Sequence, residues 1–171
     1  MAVSGKAQDH PPPPADDAPL ANDPIALEIL RGTSRMLIDA GLTPIAEFTL
    51  PNGRRADIAA LDRNGSITIV EIKSSLADFR ADQKWPEYAD YCDHFFFAVR
   101  PEFPREILPG DCGLILADRY GAETLRPARQ APALPPARRK MLTLRFARSA
   151  ALRLAAVSDP AVKNRSEAKD I

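Results

Sequence analysis

The chain has 171 residues, 45% of them hydrophobic, so it is long enough for one domain with a real core. It balances 23 basic against 23 acidic residues, which argues against a general polyanion binder, and no apolar run approaches the roughly eighteen residues of a membrane span. Its cysteines, Cys92 and Cys112, and its histidines, His10 and His94, offer no disulfide framework, zinc cluster or histidine triad.

Residues 1–23 are polar and rich in proline, with Pro11 to Pro14 in a row, and read as a disordered tail. They lack the apolar stretch of a secretory signal, which points to the cytoplasm and to two buried, reduced thiols. Asp23-Pro24 then has the form of a helix start, with Asp as cap and Pro in the first turn. Ile25, Ile29, Met36 and Ala40 recur at helical spacing, with Leu30 and Leu37 beside them, until Gly41 ends the run.

Three strands are expected next, over 45–50, 55–61 and 66–73, the first two separated by Pro51-Asn52-Gly53. Ser75 and Asp78 have the spacing of a capping box that opens a short helix, which Pro86 must interrupt. A helical 85–92 leads into an apolar strand over 94–99 that reads as buried on both faces through Phe95, Phe96 and Phe97. Trp85, Tyr88 and Tyr91, at helical spacing, read as core. Residues 113–117 form another short strand, and 124–126 an edge strand.

The segment 129–137 is a proline-rich linker, 138–157 a final helix and 158–171 a tail. On that helix Leu144, Ala147, Ala151 and Leu154 share one side; Arg138, Arg145 and Arg153 lie broadly opposite, with Arg148 on the flank. No Asp or Glu occurs from Thr124 through Ser158. The basic side is therefore either a solvated surface or a contact to a phosphate backbone. The α-β-β-β-α-β order gives an α/β fold with a small mixed sheet flanked by helices.

The chemistry concentrates at the third strand. Ile67, Ile69, Glu71 and Lys73 share one parity, so a face that begins with two isoleucines ends in opposite charges. A structural ion pair is the plain reading, but Asp57 on the preceding strand adds a second carboxylate. Two carboxylates from neighbouring strands suit a hard cation such as Mg²⁺ or Mn²⁺. Such a cation polarises a phosphodiester and acidifies a bound water. Lys73 then orients or deprotonates that water, or offsets charge on the transition state.

The register decides whether these groups meet. A three-residue loop between Asp62 and Ser66 sets Asp57 directly opposite Glu71. The commoner two-residue turn at Asn64-Gly65 sends the two carboxylates to opposite faces.

Asp57 followed by Glu71-Ile72-Lys73, on consecutive strands after an opening helix, resembles the PD-(D/E)XK nuclease superfamily. The run EIKSSLADFRADQKWPEYADYCDHFFFAV, followed by GLILADRYGAE, is similar to the MmcB family of bacterial DNA-repair proteins over about residues 24–128. That resemblance implies a restriction-endonuclease-like core, a metal site at Asp57 and Glu71, Lys73 as third catalytic residue, and Glu47 as a further carboxylate. It implies DNA as partner, with other repair proteins beside it, and no membrane. Ala56 stands where the superfamily has proline. Gln83 and Tyr88 resemble a Gln…Tyr pair of some relatives, one residue further apart. Lys84, Arg138, Arg145 and Arg148 are the expected phosphate contacts. The implied function is metal-dependent hydrolysis of DNA; the alternatives are a non-catalytic DNA-binding or partner-recruiting factor, and an adaptor whose Glu71–Lys73 pair is structural.

Overall fold

A computed structural model of the chain describes residues 20–82, 84–129, 132–159 and 161. The expected tails therefore fall largely outside the described residues, as do His10, Gln83 and part of the linker. The fold begins earlier than expected. Leu20–Asn22 form a 3-10 turn that buries Leu20 against α1 (Pro24–Asp39). Asp23 caps α1 by accepting from the Ile25 and Ala26 amides at 2.8 and 3.2 Å. At the far end Gly41 takes φ +82°, its N–H bonds Ile38, and the Leu42 N–H bonds Leu37, which satisfies the last carbonyls of the helix.

Six strands follow in sheet order: β1 (Thr43–Thr49), β2 (Arg55–Leu61), β3 (Ile67–Lys73), β4 (His94–Val99), β5 (Gly113–Ala117) and β6 (Ala122–Arg126). β3, β4 and β5 are parallel, and the outer pairings are antiparallel. A mixed α/β sheet flanked by helices is thus what forms. Every residue of β3 is buried, as expected for a central strand covered on both faces.

One face packs on α1, where Ile29 and Leu37 meet Ile58, Val70, Ile72 and Ile115. The other face carries Ile45, Phe48, Ile69 and Phe97 beneath Tyr88, Phe103 and Leu142. Between β3 and β4 lie α2 (Leu76–Ala81) and a 3-10 segment, Trp85–Tyr91, with Pro86 in its first turn, in place of the α-helix expected over 85–92. Trp85 stacks on Phe95 with centroids 5.7 Å apart, so these aromatics are core, as expected. Cys92 and Cys112 are free and buried; burial pushes their thiols up to about 12 and about 11.

The loop between β2 and β3 is the three-residue one. Asp62 N–H bonds the Ser66 carbonyl at 3.1 Å, and Gly65 adopts φ +79°. The Asp62 carboxylate selects this loop by accepting from the Asn64 and Ser66 amides at 2.8 and 2.7 Å. The resulting ladder runs from Leu61 opposite Ile67 to Ile58 opposite Val70, so its next step sets Asp57 opposite Glu71.

α3 (Pro136–Ser158) starts two residues before the expected Arg138, with prolines in its first turn. Its orientation reverses the expectation. Leu142 is buried and Phe146 packs on Phe48 at 5.8 Å, whereas Leu144, Leu152 and Leu154 are exposed. Arg139, Arg145 and Arg153 turn inward, because their forked donors satisfy carbonyls in the β2–β3 loop, at the end of β1 and at the break in its pairing around Glu47.

A carboxylate and lysine cleft at the end of the central strand

β2 and β3 part where Asp57 and Glu71 face each other. The Asp57 side chain fills the break in the ladder, its Oδ2 accepting the Ile72 N–H at 2.7 Å. Asp57, Glu71, Lys73 and Asp78 line one cleft of about 340 Å³, closed on the other side by Asp23 and Ala26 at the start of α1. Ser74 bonds the Asp23 carboxylate and so ties the helix to the strand end. The two carboxylates expected to share a site do share one, together with the lysine.

The electrostatics are strained on the acidic side. Burial pushes the Asp57 carboxyl up to about 7, against the pull of the Ile72 N–H and of Lys73. Burial also holds Glu71 well above the usual carboxylate range, and the neighbouring Asp57 charge adds to it. Glu71 Oε2 is buried with no hydrogen-bond partner among the described residues. Its Oε1 receives Lys73 Nζ at 3.3 Å.

Lys73, 4% exposed, is bound more tightly elsewhere: Nζ lies 2.6 Å from Asp82 Oδ2 and 3.9 Å from Asp78. Burial alone would lower its pKa, but Glu71, Asp82 and Asp78 outweigh burial and the net shift is upward. Lys73 is therefore held as a cation by these carboxylates, suited to orienting a ligand or offsetting negative charge.

Asp78 and Asp82 escaped sequence reading. Asp78 drew notice only as a cap, and it does cap α2: its N–H donates to Ser75 Oγ at 3.1 Å while its own carboxylate accepts the Ser74 N–H. The available signal was a lysine in an apolar strand, which needs anions, followed by acids four residues apart on a short helix.

Other expected residues lie apart from the cleft. Glu47 sits at the level of Asp57 with φ +47°, between the Ala46–Ile58 and Phe48–Ala56 pairs. Its carboxylate accepts the Leu20 N–H at 3.0 Å and lies 3.8 Å from Arg55, so it anchors the entry turn and does not line the cleft. Tyr88 is buried, its hydroxyl donating to the Arg55 carbonyl at 3.2 Å.

The expected phosphate contacts are mostly committed to the domain. Lys84 Nζ is buried, with Asp82 and Glu87 as electrostatic neighbours. Arg138 donates to the Asp90 carbonyl at 2.8 Å and lies over the Tyr91 ring, and Arg145 donates to the Thr49 carbonyl at 3.0 Å. Arg153 donates to the carbonyls of Ala46 and Glu47. Arg139 grips Asp93 with two bonds of 2.8 Å, and that hydrogen-bonded cation pulls the Asp93 carboxyl down to about 2. Arg148 is exposed, as is Arg153 despite its two carbonyl partners, whereas Arg138, Arg139 and Arg145 are half-buried.

A family model for MmcB-like DNA repair proteins matches residues 12–161. The chain belongs to that family. A solved structure described as a protein of unknown function from Silicibacter pomeroyi is 45% identical to this MmcB-like chain, with a TM-score of 0.76. The match covers 79% of this chain and 92% of that one. No curated protein matches. Among the described residues of the MmcB-like chain, no helix is long and apolar enough to cross a membrane.

The donor set is sparse. Among the described residues no group of three or more His, Cys, Asp or Glu side chains is placed to hold a metal. Asp57 and the unpartnered Glu71 Oε2 fit a Mg²⁺-like ion that keeps waters and substrate oxygens as its remaining ligands.

Proposed function

We propose that this MmcB-like DNA repair protein is a metal-dependent nuclease of the PD-(D/E)XK type, hydrolysing DNA phosphodiesters at the Asp57–Glu71–Lys73 cleft. The observation that carries the reading is Glu71: a carboxylate oxygen buried without a partner beside a second carboxylate whose pKa is raised. Both leave coordination unused within the protein, and a divalent cation would satisfy both. Mg²⁺ or Mn²⁺, when bound, supplies Lewis-acid activation of water and of the scissile phosphate. Asp57 and Glu71 hold that position, and Ile72 N–H fixes the Asp57 rotamer. Lys73, kept charged by Asp82, places a positive charge beside the phosphate oxygens.

Calorimetry of Mg²⁺ and Mn²⁺ binding, run beside cleavage of single-stranded, branched and damaged DNA, tests the reading. Wild type binds metal and cuts; Asp57→Ala and Glu71→Ala lose both. Wild type that binds no divalent ion and cuts none of these substrates overturns it.

A second reading is favoured by the 2.6 Å Lys73–Asp82 pair, which engages the lysine away from any ligand. In that reading the fold is kept as a non-catalytic DNA-binding or partner-recruiting repair factor. Survival after DNA damage separates the two: Asp57→Ala at normal protein level leaves survival intact only in the non-catalytic case.

A further inference from the structure

We propose that the turn Asp118–Gly121, with Arg119 and the neighbouring Arg35, is a subsite for single-stranded DNA in which Tyr120 stacks on a base. The proposal rests on the DNA reading above and names the form of DNA that the cleft receives.

Tyr120 is 74% exposed, an unusual position for a large ring. One side of it is already occupied, since the Arg119 guanidinium lies 4.6 Å from the ring centroid and also donates to the Tyr120 hydroxyl. The turn is held from within by Asp118, whose Oδ1 accepts the Tyr120 and Gly121 amides at 2.7 and 3.0 Å. It is held from outside by α1: Arg35 donates to the Arg119 carbonyl, and Gly32 lets the turn settle directly on the helix. A Cβ at Gly32 would stand 2.2 Å from the Asp118 carbonyl and 2.5 Å from that of Gly121. Tyr120 is thus presented on a fixed support, with little ordering left to cost affinity.

Its place in the fold connects it with the cleft. β3, β4 and β5 run parallel, so Lys73, Val99 and Ala117 end at the same edge of the sheet. The cleft follows β3 and the turn follows β5, two strand spacings or about 10 Å apart. α1 runs between them, from Ala26 in the cleft wall to Arg35 at the turn, about 14 Å at 1.5 Å per residue. At the roughly 3.4 Å per nucleotide of a fully stacked strand, three or four nucleotides span that distance, and an extended strand needs fewer. Beside the turn lies a hollow of about 310 Å³, lined by Pro101, Leu116, Asp118, Gly121 and Glu123.

The charge here is close to balanced. Arg100 lies 3.9 Å from Glu28 and 3.8 Å from Glu102, the Asp118 carboxylate neighbours both Arg100 and Arg119, and Glu123 lines the hollow beside it. Affinity at this subsite therefore comes from stacking and not from phosphate neutralisation. A stacked duplex offers no free base face, so the ligand is a single strand or a frayed end.

The test is fluorescence anisotropy with labelled oligo-dT and a blunt duplex, in EDTA so that nothing is cut. Wild type binds oligo-dT better than duplex, with a shallow salt dependence. Tyr120→Ala, checked for an unchanged Tm, weakens oligo-dT binding roughly 5- to 150-fold, the range of one lost base stack. Tyr120→Phe keeps the ring and stays within about twofold of wild type. Oligo-dT binding that survives Tyr120→Ala overturns the subsite while leaving the DNA reading standing. Wild type that binds neither oligonucleotide overturns the subsite, and the cleavage assay with Mg²⁺ decides the DNA reading separately.

Discussion

Around Asp93, Arg139 places two nitrogens at 2.8 Å and the Ile67 N–H and Ser66 hydroxyl also donate, while around Glu71 one oxygen has a lysine at 3.3 Å and the other has no partner among the described residues. Both sites bury acid against base. At the α3 seam the charges are saturated, and the Asp93 carboxyl drops to about 2; in the cleft they are not, and the Asp57 carboxyl rises to about 7. The difference separates architecture from chemistry. A saturated pair is content with the protein alone, whereas an unsaturated one has coordination left over for a ligand. A basic helix is thus a poor guide to DNA contact until it is known where its guanidinium groups go.

Removing Lys73 should have the largest effect, because three carboxylates depend on it. Lys73→Ala leaves Glu71 and Asp82 buried without their cation, a cost of about 3–5 kcal/mol at neutral pH that eases as acid protonates them. Chemical denaturation at pH 7.5 and pH 5 measures this. A variant as stable as wild type at both would mean the lysine is not the keystone of the acidic cluster. Arg139→Ala comes next, at about 2–3 kcal/mol, since it strips a bidentate charged partner from a mostly buried Asp93. Its DNA affinity should stay near that of wild type. A loss of DNA binding without loss of stability would erase the contrast between seam and cleft.

The regions also differ in how readable they were. β3 could be read because strand parity is rigid: two isoleucines, Glu71 and Lys73 at even spacing must share a face, and the loop length alone decides where Asp57 falls. The sequence left two loops open, with the two-residue turn the commoner; the longer loop forms because the Asp62 carboxylate accepts the Asn64 and Ser66 amides. α3 defeated the same logic because hydrophobicity was taken as the guide to its inner face. Leu142 and Phe146 are enough to anchor that face, and arginines complete it by binding strand-end carbonyls that a sequence does not display as acceptors. Asp78 and Asp82 were hidden for a related reason. They belong to the site only through the path of the chain after β3.

The subtlest consequence of the contrast is a pH dependence of stability with opposite sign at the two sites. A carboxyl whose folded pKa lies above its unfolded value binds more protons in the native state, so stability falls as pH rises between the two. For Asp57 that window runs from the ordinary 3.8 to about 7. Asp93, depressed to about 2, works the other way: its contribution is present above the ordinary 3.8 and is lost only as pH falls toward 2. Asp57→Asn keeps an oxygen to accept the Ile72 N–H and cannot ionise. It should match wild type near pH 4 and melt higher above pH 7, by on the order of 5 °C. Saturating Mg²⁺ should then close most of that gap by stabilising wild type while leaving Asp57→Asn unmoved, because only the ionised pair has a cation to gain. Thermal melts at the two pH values, with and without Mg²⁺, give four numbers. A gap that is equal at both pH values would show that the Asp57 carboxyl is not strained. A gap that Mg²⁺ leaves open would place the strain somewhere other than a metal site.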